Sequence, residues 1–176
     1  MKLQVILLLF LFGSGIYPHA TAQEKKSAGN VQWVSFEDAV ENNSKAPKKI
    51  FIDMYTHWCG WCKRMDATTF SDPTVADYLN KHFYSVKFNA ETKDSVLYKG
   101  KYYQFKTEYK SNELAAILLN GKMSYPTTVY LDAESNLLGP VPGYLTPDQL
   151  LPILRYFAED IYKSKKWEEY VQAGYK

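Results

Sequence analysis

At 176 residues, and 154 once a leader of 22 is set aside, the chain holds enough material for one domain around a single core. The formal net charge is +2, or +1 without Lys2, which leaves no electrostatic case for nucleic acid or an anionic membrane surface as partner. The 15 tyrosines are expected to divide between the core and surfaces for protein contact.

Met1 to Ala22 reads as a secretory signal peptide. Lys2 supplies the charge, Leu3 to Phe12 the apolar stretch, and Ala20-Thr21-Ala22 the small-residue site, predicting cleavage before Gln23. The apolar stretch is shorter than the roughly 20 residues that cross a bilayer, so retention as an anchor is the weaker alternative. No cysteine follows the cleavage site, which argues against a lipid-modified N-terminus. The expected location is the periplasm or the exterior, where a thiol pair stays oxidised unless a partner reduces it. Residues 23–32 read as a flexible polar leader.

Ser35-Phe36-Glu37-Asp38 has the spacing of a helix cap with an acid at N3, and predicts a short helix to about Asn43 with Phe36, Ala39 and Val40 inward. Lys45-Ala46-Pro47-Lys48 breaks it. Lys49 to Tyr55 is dense in apolar residues, as in a central strand buried on both faces. It delivers the chain to Trp58-Cys59-Gly60-Trp61-Cys62-Lys63, which holds both cysteines of the sequence. A CxxC pair where a strand gives way to a helix is a redox arrangement. Free backbone N–H groups and the positive helix end stabilise a thiolate at Cys59, making it the nucleophile and placing its sulfur at the surface. Cys62, one turn on, can attack a mixed disulfide at Cys59 and release the substrate as a thiol. Two plainer readings compete. Zinc needs four ligands, but there is no second CxxC and His19, His57 and His82 are scattered, so no metal is expected. A structural staple closing two intervening residues removes little chain entropy.

The helix is expected to extend through Lys63, Met65 and Phe70. Asp72-Pro73 marks a fresh start with Asp as cap and Pro at N1, followed by Val75, Tyr78 and Leu79 at helical spacing. Phe83 to Asn89 reads as the next strand, with Val86 and Phe88 alternating with Lys87. Residues 91–110 carry Ser95-Val96-Leu97-Tyr98 and Lys101-Tyr102-Tyr103-Gln104-Phe105 on either side of Gly100, predicting a β-hairpin that is either a packing flap or an aromatic contact surface. Asn112-Glu113-Leu114 opens a helix through Leu119, stopped by Asn120-Gly121 with Gly in the left-handed conformation. Thr127 to Leu131 and Leu137 to Val141 form an antiparallel pair. Thr146-Pro147-Asp148-Gln149 caps the final long helix, in which Pro152 predicts a late start or a kink. Residues 164–176, with Trp167, Tyr170 and Val171, read as a short docking helix.

Ile52-Asp53-Met54-Tyr55-Thr56-His57-Trp58-Cys59-Gly60-Trp61-Cys62-Lys63, then Val86-Lys87-Phe88-Asn89, then Tyr125-Pro126-Thr127-Thr128-Val129 and Gly143, resemble the thioredoxin superfamily in three blocks in the right order. Within it the chain looks most like secreted thioredoxin-like proteins of Bacteroidetes type, over roughly residues 33 to 160. The resemblance implies an α/β three-layer sandwich around a central mixed sheet, spanning residues 33–163, with a β-hairpin insertion at about 91–110 and a C-terminal helical extension. An ionised Asp53 in an apolar strand is costly without a partner, although an Asp solvated at the strand end is an alternative. The resemblance implies that Asp53 assists proton transfer at Cys62, with Lys87 as its counter-charge; a solvent-facing Lys87 is the plainer reading. It further implies a cis Tyr125-Pro126 bond facing the CxxC, presenting the Tyr125 backbone to an extended substrate; a trans Pro at a strand edge is the alternative.

Trp61 stands where thioredoxins carry Pro. Trp58, Gly60 and Trp61 are expected to frame the site, the two tryptophans as an apolar rim unless one belongs to the core. The resemblance thus implies an exported thiol-disulfide oxidoreductase serving cell redox homeostasis. Its only redox group is the Cys59-Cys62 disulfide, with no added cofactor. Its partners are protein disulfides and an upstream thiol reductase or oxidase, and reduction is favoured over isomerisation. The alternative is a non-catalytic binding or assembly module for envelope proteins on the same fold.

Overall fold

The computed structural model describes residues 29–175. The expected signal peptide, its cleavage site and residues 23–28 of the leader lie outside them. Residues 29–32 are tied down: Val31 is buried with Phe70, Val75 and Phe83, and Asn80 holds the Gln32 N–H and the Asn30 carbonyl with its side-chain amide.

Five strands form one sheet in the order β1 (Trp33–Val34), β3 (Phe83–Asn89), β2 (Lys49–Tyr55), β8 (Thr127–Leu131) and β9 (Leu137–Pro142). β1, β3 and β2 run parallel, and β8 alone runs against them, paired antiparallel with β2 on one side and with β9 on the other, so the sheet is mixed. β2 is central, as its apolar density requires, and its five inner residues are all buried. Its alternation separates two cores. Ile50, Ile52 and Met54 face α1 (Phe36–Lys45) and α4 (Glu113–Leu118). Phe51 faces α2 (Gly60–Thr68), α3 (Pro73–His82) and α5 (Pro147–Ala158). Ring-to-ring contacts of Phe51 with Phe70, Phe83 and Tyr130, centroids 5.6–6.3 Å apart, organise that second face.

The helix starts follow their sequence signals. Ser35 Oγ accepts the Asp38 N–H at 3.0 Å, Asp72 Oδ1 accepts from Thr74 and Val75, and Gln149 Oε1 accepts the Thr146 N–H at 2.9 Å. α2 ends at Thr68 rather than reaching Phe70. There the N–H groups of Thr69 and Phe70 share the Met65 carbonyl, and Thr69 Oγ1 donates to Leu145 O at 2.6 Å. The late start expected from Pro152 does not occur. α5 begins at Pro147, because Pro152 is six residues in and forfeits a single ladder bond near the helix start.

The insertion forms the expected hairpin, β4 (Val96–Tyr98) and β5 (Lys101–Tyr103), across a two-residue turn with positive φ at Lys99 and Gly100. A second pair, β6 (Phe105–Lys106) with β7 (Ser111–Asn112), follows and was not signalled by the sequence. Val96 and Tyr98 are buried against Phe36, while Tyr102 is 62 % exposed, so the hairpin is a packing flap on one side and an aromatic surface on the other. At the C-terminus α6 (Trp167–Gln172) docks on α5, with Tyr156 stacked on Tyr170 and edge-on to Trp167.

Asn43 is buried where α1, the chain entering β2 and the β8–β9 turn meet. Its Nδ2 donates to Ser135 Oγ at 3.0 Å and its Oδ1 accepts the Lys48 N–H at 2.9 Å. Asn43→Ala orphans both partners and should lower stability by about 1–3 kcal/mol, read as a shift in urea midpoint, with thiol exchange rates unaltered.

Candidate active site

β2 runs to Tyr55, and four residues later Cys59 is the N-cap of α2, with its Sγ accepting the Cys62 N–H at 3.0 Å. Cys59 and Cys62 form a disulfide with Cα atoms 5.3 Å apart. No acid occupies the first turn of α2, so the N–H groups there face the sulfurs without a competing carboxylate. The expectation of an exposed Cys59 sulfur does not hold: Cys59 is 4 % exposed and Cys62 2 %. The side chain of Cys59 turns back to cap its own helix and is tied to Cys62 instead of projecting. Attack on the oxidised pair therefore needs the rim to admit the incoming sulfur.

Asp53, in the middle of β2, is fully buried. Its strand register places it between Lys87 of β3 and Thr128 of β8. Lys87 Nζ lies 3.3 Å from Asp53 Oδ2, and among the described residues neither carboxylate oxygen accepts a hydrogen bond. Burial pushes the Asp53 carboxyl up to about 7, against the pull of the Lys87 charge, and Asp66 adds to the rise. The same ammonium donates to Asp66 Oδ1 and sits over the rings of Trp33, Tyr55 and Phe70. Asp53 is thus not solvated at a strand end, and Lys87, about a quarter exposed, turns its ammonium to the two carboxylates. Asp66 was missed in the sequence, although its place one turn beyond Cys62 on α2 was the available signal.

Aromatic walls flank the pair. Trp58 and Trp61 are 67 % and 58 % exposed, so neither belongs to the core. Trp58 Nε1 donates to Glu91 Oε1 at 2.9 Å, and its ring meets Tyr125 edge-on at 5.9 Å. Trp61 packs on Tyr144 at 5.4 Å, with the Arg64 guanidinium over both rings. Glu91, Tyr144 and Arg64 were not singled out in the sequence; the first two reach the site only through tertiary folding. Tyr125-Pro126 is cis, and the Pro126 carbonyl accepts the Gly143 N–H at 2.8 Å. Neither the N–H nor the carbonyl of Tyr125 has a backbone partner among the described residues. Gly60 faces open space, His57 is exposed with its ring edge-on to Tyr55, and Lys63 is a solvated helix charge.

This arrangement can cycle between a disulfide and a dithiol, with a carboxyl that gains or loses a proton near neutrality two strand-residues before the site loop. The chain is 37 % identical over 65 residues to the thiol:disulfide interchange protein DsbD of Pectobacterium atrosepticum, a match covering 36 % of this chain and about 11 % of that protein's length. Among solved structures, a DsbH oxidoreductase superposes with a TM-score of 0.57 at 19 % identity, covering 84 % of this chain and 94 % of the other. A putative disulphide-isomerase from Bacteroides thetaiotaomicron does so with a TM-score of 0.54 at 24 % identity, covering 79 % and 98 %. These structural likenesses establish the fold. The model of the thioredoxin-like domain matches residues 36–158, most of the chain and all of the site, and on that match the chain belongs to the thioredoxin-like domain family.

Proposed function

We propose that this protein is an exported thiol-disulfide oxidoreductase that reduces protein disulfides through Cys59, with Asp53 managing the proton at Cys62. The observation that carries the reading is the Cys59–Cys62 disulfide at the start of α2, joined through β2 to a buried carboxyl pushed up to about 7. The likeness to an interchange protein supports it. Export rests on the charged, apolar and small-residue segments of Met1 to Ala22.

In the reducing direction the Cys59 thiolate attacks one sulfur of a substrate disulfide. A new S–S bond joins Cys59 to the substrate, and the second substrate sulfur leaves as a thiolate that takes a proton from solvent. Asp53, ionised at that moment, accepts the Cys62 proton. The Cys62 thiolate then attacks Cys59 Sγ and expels the first substrate sulfur, which takes from Asp53 the proton that Cys62 gave up. The substrate gains two electrons and two protons, and the protein is left as the Cys59–Cys62 disulfide. An upstream thiol reductase restores the dithiol. Trp58, Gly60, Trp61 and Pro126 frame the entry, and the unpaired Tyr125 backbone pairs with an extended substrate segment.

Three outcomes follow from this assignment. Cys62→Ser should accumulate partners on Cys59 as species that reductant dissolves on a gel, and none should form with Cys59→Ser. In the reduced protein Cys59 should alkylate much faster than Cys62, with a reactivity midpoint below the roughly 8.5 of a free thiol.

The third concerns Asp53. Its carboxyl keeps its proton to about 7 in the folded protein but releases it at about 3.8 when unfolded, so the folded form binds more protons in between. Stability therefore falls as pH rises across that window, by at most about 1.4 kcal/mol per pH unit. Asp53→Asn should flatten that fall, measured as urea midpoints against pH. It should also slow resolution by about ten-fold or more and remove the inflection near 7 from the rate. An unchanged rate profile takes Asp53 out of the mechanism.

A further inference from the structure

Beside the CxxC loop a cleft of about 610 Å³ opens between the end of β3 and the insertion, with His57, Asn89, Glu91, Lys93, Phe105 and Lys110 among its lining residues. It begins on the loop that leads into Cys59. His57 precedes Cys59 by two residues, a reach of at most about 7 Å. Glu91 is bonded to Trp58, the residue immediately before Cys59.

The charge of this cleft is lopsided. Residues 91–110 carry five lysines against three acids. Glu91 is the one acid on the lining, and its Oε1 is engaged by the Trp58 indole. Lys93 and Lys110 face the cleft and neither forms an ion pair among the described residues, whereas Lys106 is paired with Glu113. Lys93 Nζ is seated over the Phe105 ring, which fixes that cation against an apolar floor. Two unpaired cations against one carboxylate, with a ring and the Asn89 amide, suit carboxylates carried on a chain. The cleft is open along one side rather than closed around a small molecule, and exposed Tyr109 and Tyr102 continue the aromatic surface of the insertion.

We propose that this cleft selects substrates: it receives an acidic segment of an extended polypeptide beside the cysteine that is joined to Cys59, with Lys93 and Lys110 pairing its carboxylates. The proposal rests on the exchange reaction assigned to Cys59 and adds to it the class of substrate.

The test uses the reduced protein and a peptide with one cysteine, carried as its mixed disulfide with mercaptoethanol and flanked by Asp and Glu. A second peptide has Asn and Gln in their places, and hydroxyethyl disulfide serves as a substrate without peptide. The acidic peptide should react about five-fold faster than the amide peptide at low salt, the gain expected of exposed ion pairs, and the ratio should approach one at high salt. In a Lys93→Gln, Lys110→Gln double variant the ratio should collapse at low salt as well. Because the ratio is taken within one protein, loss of folded material cancels. Equal rates for the two peptides, with hydroxyethyl disulfide still reduced, overturn the proposal and leave the exchange chemistry standing. A lysine-dependent gain for glutathione disulfide but for neither peptide also overturns it, in favour of a small carboxylate-bearing thiol. No reaction with hydroxyethyl disulfide overturns the exchange assignment itself and this proposal with it.

Discussion

The buried carboxyl of Asp53 is the constraint around which the rest of the structure is arranged. It stands in the central strand with sheet on both sides, and its one counter-charge among the described residues comes from the neighbouring strand. Burying an acid there is tolerable only if a cation reaches it or a proton stays on it. Parallel pairing of β2 and β3 in the register Asp53 to Lys87 supplies the cation, and a slip of one residue would turn Lys87 to the opposite face. The rings of Trp33, Tyr55 and Phe70 then hold the lysine stem and head in place. Strand order, register and the aromatic cluster are thus linked through one ion pair.

Burial raises the proton affinity of Asp53, and Lys87, which pulls the other way, is shared with Asp66. The ammonium donates to Asp66 while standing 3.3 Å from Asp53 Oδ2, without aligning as a hydrogen bond to it. The compensation reaching Asp53 is incomplete, and the second carboxylate pushes in the same direction as burial. A carboxyl balanced near neutrality exchanges its proton with little driving force either way, as the proton role proposed for Asp53 requires. Had Lys87 served Asp53 alone, the carboxyl would hold its proton less tightly.

The parts of this arrangement that are local in sequence were legible there. β2 and β3 have the bounds read from their apolar runs, Asp72-Pro73 and Thr146-Pro147 start helices where expected, and the cysteines meet because four residues cannot place them elsewhere. What escaped is long-range or short. Glu91 reaches Trp58 across 33 positions and Tyr144 reaches Thr68 across 76, distances at which no periodicity operates. β6 and β7 are two residues each, below the length at which alternation is visible. Exposure of Cys59 was misjudged because the sequence implies a residue at a helix start but not the direction its side chain takes once it caps that helix.

The redox site and the proposed selecting surface occupy different parts of the chain. The redox pair, its carboxyl and its lysine lie on β2, α2 and β3, elements fixed by the two cores, where a change of one side chain disturbs packing as well as reactivity. Several features around the entry are supplied by residues outside the two cores: Trp58 and Trp61 point outward, and Glu91, Lys93, Phe105 and Lys110 belong to the insertion. Tyr98 anchors that insertion, donating to the Ser135 carbonyl at 2.6 Å, and Asn112 ties its far end to the start of α4. With the insertion held at these two points, its exposed residues can vary in charge and ring content without altering β2. The surface that meets a partner can thus be tuned while the carboxyl and the sulfurs stay where the sheet puts them.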